Sequence, residues 1–395
     1  MNKIDKIYQT ADDRNKFGFV KLKDVCNINM GQSPDSDSYN DNEDGIPFFQ
    51  GNADFGEKYP TIRKWCNAPT KIAHAEDILI SVRAPIGALN YAKEECCIGR
   101  GLAAITPNQD KVSSGFIYWL LKGKHKELNL QGTGSTFKAI SRKVLEEIKV
   151  PDIELKKQTE LAGSLEKVYS VIQLRKQQLE ELDILIKARF VEMFGDPIQN
   201  EKNWSRRSLE QLCHSIVDCP HSTPNYISED TGFMCIRTSV VKKNKILWDE
   251  IEYIVEDEFN QRIQRKRPEK GDIVYTREGA ILGIAAIIDR NCNVALGQRS
   301  MLLSPDSSVC TSEFICTAMN SDSFLSNALR GISGSASPHI NVGDIKSFEM
   351  IAPPLELQRK FSEFNSQVDK LKVEVQKSLD EMQILFDSLM QEYFG

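Results

Sequence analysis

Cysteine and histidine are the first side chains to test for chemistry. Cys213, His214, Cys219 and His221 make the nearest approach to a zinc cluster, but no C-x-x-C pair occurs among the ten cysteines. Zinc sites favour tighter ligand spacing, so these four are expected to be buried or loop residues, with no metal bound. A long chain without a secretion signal keeps its thiols reduced, which leaves Cys26, Cys66, Cys96, Cys97, Cys213, Cys219, Cys235, Cys292, Cys310 and Cys316 as free thiols. Phosphate chemistry on ATP would need a G-x-x-x-x-G-K-[ST] loop, and the sequence has none. The one Pro-Pro pair, Pro353-Pro354, lies between Ala352 and Leu355. It lacks the Asn or Asp before it and the aromatic after it that would hold a target base and its amino group. A Gly-rich strand-to-helix turn for a methyl donor is also missing, so no catalytic set is assigned.

Cations are the other candidate chemistry. Basic clusters stand at Lys122/Lys124/Lys126, Lys138/Arg142/Lys143, Lys242/Lys243/Lys245 and Arg262/Arg265/Lys266/Arg267. Taken singly, each is expected to be a solvated face. The formal net charge of -6 argues against a protein that coats nucleic acid, because phosphate neutralisation needs clustered Lys and Arg.

An internal repeat decides which elements must position these residues. Residues 134 to 195 align without a gap onto 334 to 395, with identities that include Gly134/Gly334, Ser135/Ser335, Ile140/Ile340, Gln158/Gln358, Val168/Val368, Leu179/Leu379, Phe194/Phe394 and Gly195/Gly395. Upstream the echo continues with small length changes. Asp77 to Ser81 answers Asp272 to Thr276, Pro85-Ile86-Gly87 answers Ile281-Leu282-Gly283, and Ile98-Gly99-Arg100 answers Leu296-Gly297-Gln298. After an N-terminal segment (1–17), the sequence therefore divides into a domain at 18–150, a helix at 151–195, a second domain at 196–351 and a second helix at 352–395.

Short apolar runs bounded by Gly, Pro and Asn make the two domains β-rich, and a helix near Phe116 to Leu121, echoed at Phe314 to Met319, makes them mixed. The class is α+β. The helical segments carry a heptad seam at Leu161, Leu165, Val168, Ile172, Leu179, Leu182, Ile186 and Met193. The second copy keeps the phase at Phe361, Val368, Val375, Leu379, Met382, Phe386, Leu389 and Tyr393. Such a seam needs a partner, and the expectation is an antiparallel coiled coil of the two copies with a pseudo-twofold relation. Arg175, Asn365 and Lys372 interrupt the seam as register-fixing polar residues. No run of about 18 apolar residues exists and the N-terminus lacks an apolar signal core, so a cytoplasmic protein is expected.

With this organisation in place, the loop Gly134-Ser135-Thr136-Phe137-Lys138-Ala139-Ile140-Ser141 and the tail Phe190-Val191-Glu192-Met193-Phe194-Gly195-Asp196-Pro197 resemble those of type I restriction-modification specificity subunits. So do Asp218-Cys219-Pro220-His221-Ser222-Thr223-Pro224, Thr276-Arg277-Glu278-Gly279, Leu296-Gly297-Gln298-Arg299-Ser300 and the loop from Gly334 to Asn341, which are similar to turns of target-recognition domains. The resemblance covers residues 18 to 395. It implies a non-catalytic subunit in which each domain reads one half of a split double-stranded DNA site. The paired helices would space the halves and dock two methyltransferase subunits. It also implies that S-adenosylmethionine binds those partners, that ATP binds the restriction and translocation subunits, and that neither cofactor binds this chain.

Base-edge reading then selects residue types: Arg for guanine O6 and N7, Asn or Gln for adenine N6 and N7. In the first domain the candidates are Gln50, Asn52, Arg63, Arg83, Arg100 and Lys138. In the second they are His221, Ser222, Thr223, Arg237, Thr238, Arg277, Gln298, Arg299 and His339. For Arg83, Arg277 and Glu278 the competing role is an ion pair beneath the loop. Two other classes stay open at this level: a coiled-coil adaptor that binds only proteins, and an enzyme with an unfamiliar site. Salt-dependent duplex binding separates the first from DNA reading, and activity without partners separates the second.

Overall fold

A computed structural model describes residues 18–133, 138–330 and 338–395. The N-terminal segment 1–17 and the motif residues Gly134 to Phe137 and Gly334 to Ser337 lie outside the described residues. The chain forms two compact units, one of Met1–Lys176 with Lys377–Gly395 and one of Gln177–Gln376.

In the first unit the apolar strands Cys26–Met30, Leu102–Pro107, Ile78–Ser81 and Leu89–Tyr91 form an antiparallel sheet in that order. Ile78, Leu79 and Ile80 have no exposed surface, so this sheet is covered on both faces. Beside it lies a sheet of short strands that contains a parallel pair, Ile46–Phe49 with Cys96–Ile98. Gly18–Lys21 pairs with Lys149–Asp152 and closes the unit just before the long helix begins.

The second unit repeats this plan. Its antiparallel sheet runs Cys213–Asp218, Ser300–Pro305, Ile273–Thr276, Ala285–Ile287. The parallel pair recurs as Met234–Ile236 with Val294–Leu296, and the closing pair as Arg206–Ser208 with Glu349–Ile351. Gly87 and Gly283 both adopt positive φ and both donate their N–H to the strand residue before the turn, Ser81 and Thr276, at 2.8 Å. A glycine suits this left-handed turn because a Cβ there is strained.

The long helices are Leu155–Phe194 and Leu355–Phe394, each 40 residues. Every seam position named above is buried or half-buried. Within the second unit, Phe190 meets Phe361 at 5.5 Å between ring centroids and Lys372 Nζ meets Asp183 at 2.6 Å, which fixes an antiparallel pairing. Within the first unit, Tyr169 meets Phe386 at 5.9 Å in the same sense. Of the polar interruptions, Asn365 is 8% exposed and Lys372 bridges the helices through Asp183.

The tail of each long helix completes a globular core. In the first unit Phe394, from the second helix, packs at 5.1 Å on Phe116, and Phe386 packs at 5.5 Å on Trp119. In the second unit Phe194, from the first helix, packs at 4.9 Å on Phe314. Gln158 and Gln358, a repeat pair, are both buried. Each accepts a backbone N–H on its side-chain oxygen, from Ser113 and Thr311, and donates its amide to the carbonyl of Ile153 or Pro353. They tie the entrance of each long helix to the loop that starts the short one.

Candidate functional site

Three separated backbone segments meet at one edge of the first unit. Val82 N–H donates to Gly101 O at 2.8 Å, Ile140 N–H to Val82 O at 2.9 Å, and Ala84 N–H to Lys138 O at 3.1 Å. Gly99 N–H donates to Phe49 O at 2.8 Å, which adds the segment that carries Gln50. These bonds leave Gln50, Asn52, Arg83 and Arg100 around a cleft of about 260 Å³, with Ser33, Gly51 and Gly101 as further walls. Lys138 is exposed and adjoins the cleft through the Ala84 bond. Arg63 is also exposed but is not among the cleft residues.

Local chemistry explains this shape. Asp54 Oδ2 accepts the N–H of Gln50 at 2.8 Å and curls that loop, while Ser33 Oγ accepts from Arg100 Nε at 3.3 Å and steadies its side chain. A Cβ on Gly101 would strike the carbonyl of Gln50, so the close approach of the two loops requires glycine there. Ser33, Asp54 and Gly101 were not singled out from the sequence. Ser33 lies two residues after Gly31, which strand register, not residue type, matches to Cys219, so the correspondence with the loop after Cys219 appears only in the structure.

The same bonding recurs in the second unit, residue for residue. Arg277 N–H donates to Arg299 O at 3.0 Å, Ile340 N–H to Arg277 O at 2.8 Å, Gly279 N–H to Pro338 O at 3.1 Å, and Gly297 N–H to Ile236 O at 2.9 Å. Arg237, Thr238, Gln298, Arg299 and His339 are thereby gathered at the matching edge, all half-buried or exposed. His221, Ser222 and Thr223 stand exposed on the loop that corresponds to the one carrying Ser33. Arg299 adopts φ 69°, the left-handed region, at the position where the first unit has Gly101. Its Nε lies 4.0 Å from Glu278 Oε1.

Arg277 departs from expectation. It is 7% exposed, alone among the fifteen candidates in being buried, and its guanidinium donates to both oxygens of Asp218 at 2.9 and 3.2 Å. The competing role, an ion pair beneath the loop, is what the geometry gives this side chain. The reason is tertiary: Asp218 ends one strand and Arg277 follows another, both bonded to the strand Ser300–Pro305 between them, and a bidentate fork satisfies a buried guanidinium. Arg237 is also paired, with Glu252 at 2.7 Å and over the Tyr226 ring at 4.9 Å, but stays half-exposed.

Of the basic cluster Arg262/Arg265/Lys266/Arg267, Arg265 and Arg267 are exposed, while Arg262 and Lys266 serve the scaffold. Arg262 is buried, paired with Glu258 at 3.1 Å and donating to Ser222 O at 2.9 Å; Lys266 meets Asp272 at 3.1 Å. Burial pushes the Cys219 thiol above its usual range and pushes those of Cys213 and Cys235 up to about 12. Among the described residues, no group of three His, Cys, Asp or Glu side chains is placed to hold a metal ion. No described helix is long and apolar enough to cross a membrane.

Comparison with known proteins places this geometry. A putative type I restriction enzyme MjaX specificity subunit of Methanocaldococcus jannaschii is 43% identical over 156 residues, which cover 40% of this chain and 37% of that protein. The type I restriction enzyme EcoBI specificity subunit of Escherichia coli is 20% identical over 409 residues, covering 95% of this chain and 85% of that one. The solved S subunit of a type I restriction-modification system from M. genitalium superposes with a TM-score of 0.62 at 14% identity, covering 97% of each chain, and shares the fold. The family model of the type I restriction modification DNA specificity domain matches twice, over residues 15–183 and 201–381. Two such matches, on two units built to one plan, show that this chain belongs to the family of type I restriction-modification DNA specificity domains.

Proposed function

We propose that the chain is the sequence-reading subunit of a type I restriction-modification complex, each unit reading one half of a bipartite double-stranded DNA site. The observation that carries this is the convergence of the same four segments in both units, with side chains suited to base edges on them. In the first unit Gln50, Asn52, Arg83 and Arg100 are the readers, and Lys138 anchors a phosphate. In the second, His221, Ser222, Thr223, Arg237, Thr238, Gln298, Arg299 and His339 form the reading edge, and Arg277 supports it from beneath. Arg and Gln at such edges supply the paired donors and acceptors that separate G·C from A·T in the major groove.

Methyltransferase subunits dock on the long helices, and restriction subunits join that complex. Exposed apolar residues on those helices, among them Leu174, Ile184, Leu185, Leu371 and Val373, support a protein-covered surface. Methyl transfer and ATP-driven cleavage belong to those partners, with S-adenosylmethionine and ATP bound there. The test is coexpression with the cognate methyltransferase and genome-wide mapping of methylated adenines. A single split, asymmetric motif is expected. Methylation by the chain without a companion subunit would overturn the reading.

A further inference from the structure

The two units share their backbone plan but differ in what lies beneath the reading edge. Strand register makes Asp218 the counterpart of Met30, since they face Met301 and Ala103 at matching places. It likewise makes Arg277 the counterpart of Val82, each following the residue paired with Ser300 or Leu102. Two apolar residues in the first unit thus stand where the second has an ion pair. Its side chains are 15% and 8% exposed, and the contact is bidentate.

This pair stands at a junction. The peptide of Arg277 holds both neighbouring segments, donating to Arg299 O and accepting from Ile340 N–H. Asp218 Oδ2 also lies 3.2 Å from His221 Nε2, and Asp218 O accepts from Arg265 at 3.3 Å. One carboxylate therefore links the turn after Thr276, the loop that carries His221 and, through Arg277, the backbone under Arg299.

We infer that the Asp218–Arg277 ion pair is a specificity-determining strut of the second unit, setting the positions of His221 and Arg299 against DNA without touching a base. The inference rests on the DNA-reading function proposed above. A buried pair of this kind adds little net stability over well-packed apolar residues, but it fixes geometry through directed bonds. Loss of direction at a reading edge lowers discrimination before it lowers binding, because phosphate contacts elsewhere still hold the duplex.

The test uses the full chain in complex with its methyltransferase. The double variant Asp218→Met/Arg277→Val installs the first unit's pair, and Arg277→Lys keeps the charge but loses the fork. Methylation is measured on the cognate site and on sites with one base changed in either half. The half-site of the first unit is the one relaxed by Arg100→Ala. Expected is a drop of about tenfold or more in discrimination at the other half-site for both variants, the scale of one lost bidentate contact, with discrimination at the first half-site kept. A purely structural role would lower cognate and altered sites by the same factor, leaving their ratio unchanged in Arg277→Lys even if the double variant fails to fold; that result overturns the strut. If the wild-type complex methylates no bipartite motif, the DNA-reading function itself fails, and the strut with it.

Discussion

At the scale of single residues, the site separates side chains that face outward from those that hold them. Arg83 and Arg100 border the cleft of the first unit, so Arg83→Ala or Arg100→Ala is expected to cost about 1 to 3 kcal/mol per lost bidentate base contact and to relax one half-site only. Methylome mapping checks this. Lys138 is exposed beside the same cleft; Lys138→Ala should weaken all duplexes alike and reduce the salt slope of binding by about one unit, read by titration at several ionic strengths. The thiols give a pH prediction. Burial raises Cys26, Cys96, Cys213, Cys235 and Cys310 to about 12, so in the folded chain they stay protonated where unfolded thiols, with pKa near 9, have ionised. A raised folded pKa contributes stability that is complete below the unfolded value and is lost as pH rises towards the folded one. Denaturant titrations should therefore show stability falling from about pH 9 upward, with alkylation at pH 8 slow at all but the half-buried Cys292.

At the scale of elements, the repeated glutamines show how identity in a sequence becomes a structural device. Gln158 and Gln358 each clamp a helix entrance through both ends of one amide, out of water. Replacing Gln358 with Leu leaves Thr311 N–H and Pro353 O without that partner, at a cost of about 1 to 3 kcal/mol. Loss of hydrogen-exchange protection at Ser312–Met319 is the expected signature, and unchanged protection there would show that the clamp is not needed. The turn glycines behave differently. Gly283 has φ 78° and a Cβ there would press on Leu325, so strain and overlap act together.

At the scale of the whole molecule, sequence order and compact unit do not coincide. The final residues of the chain, Lys377–Gly395, belong to the first unit, where Phe386, Leu389, Met390 and Tyr393 pack against the core that holds Phe116 and Trp119. Phe394→Ala should destabilise that unit by about 3 to 5 kcal/mol, the usual cost of emptying a buried aromatic site. Hydrogen exchange should then rise at residues 114–123, more than 270 positions away in sequence, and not at 312–319. Phe194→Ala should do the reverse, because Phe194 packs on Phe314 in the second unit. If each substitution instead loosened the unit whose domain precedes its own helix in sequence, this assignment of the helix ends would fail.

What the sequence determined by itself follows from patterns that are local or repeated. The 200-residue echo disclosed two copies of one unit, the heptad seam identified the two long helices and their buried faces, and the turn motifs carried the family resemblance. Periodicity and glycine placement act over a few residues, so they survive without knowledge of the rest of the chain. Tertiary structure decided which partner each polar side chain takes. Arg83, Arg100 and Gln50 share a cleft only because three segments far apart in sequence are bonded together. Arg277 and Arg299 are both arginines on reading turns, yet one is buried against a carboxylate 59 positions away and the other faces out. Burial and charge pairing depend on the neighbour that folding brings alongside, and that neighbour is not written in the residue's own stretch of sequence.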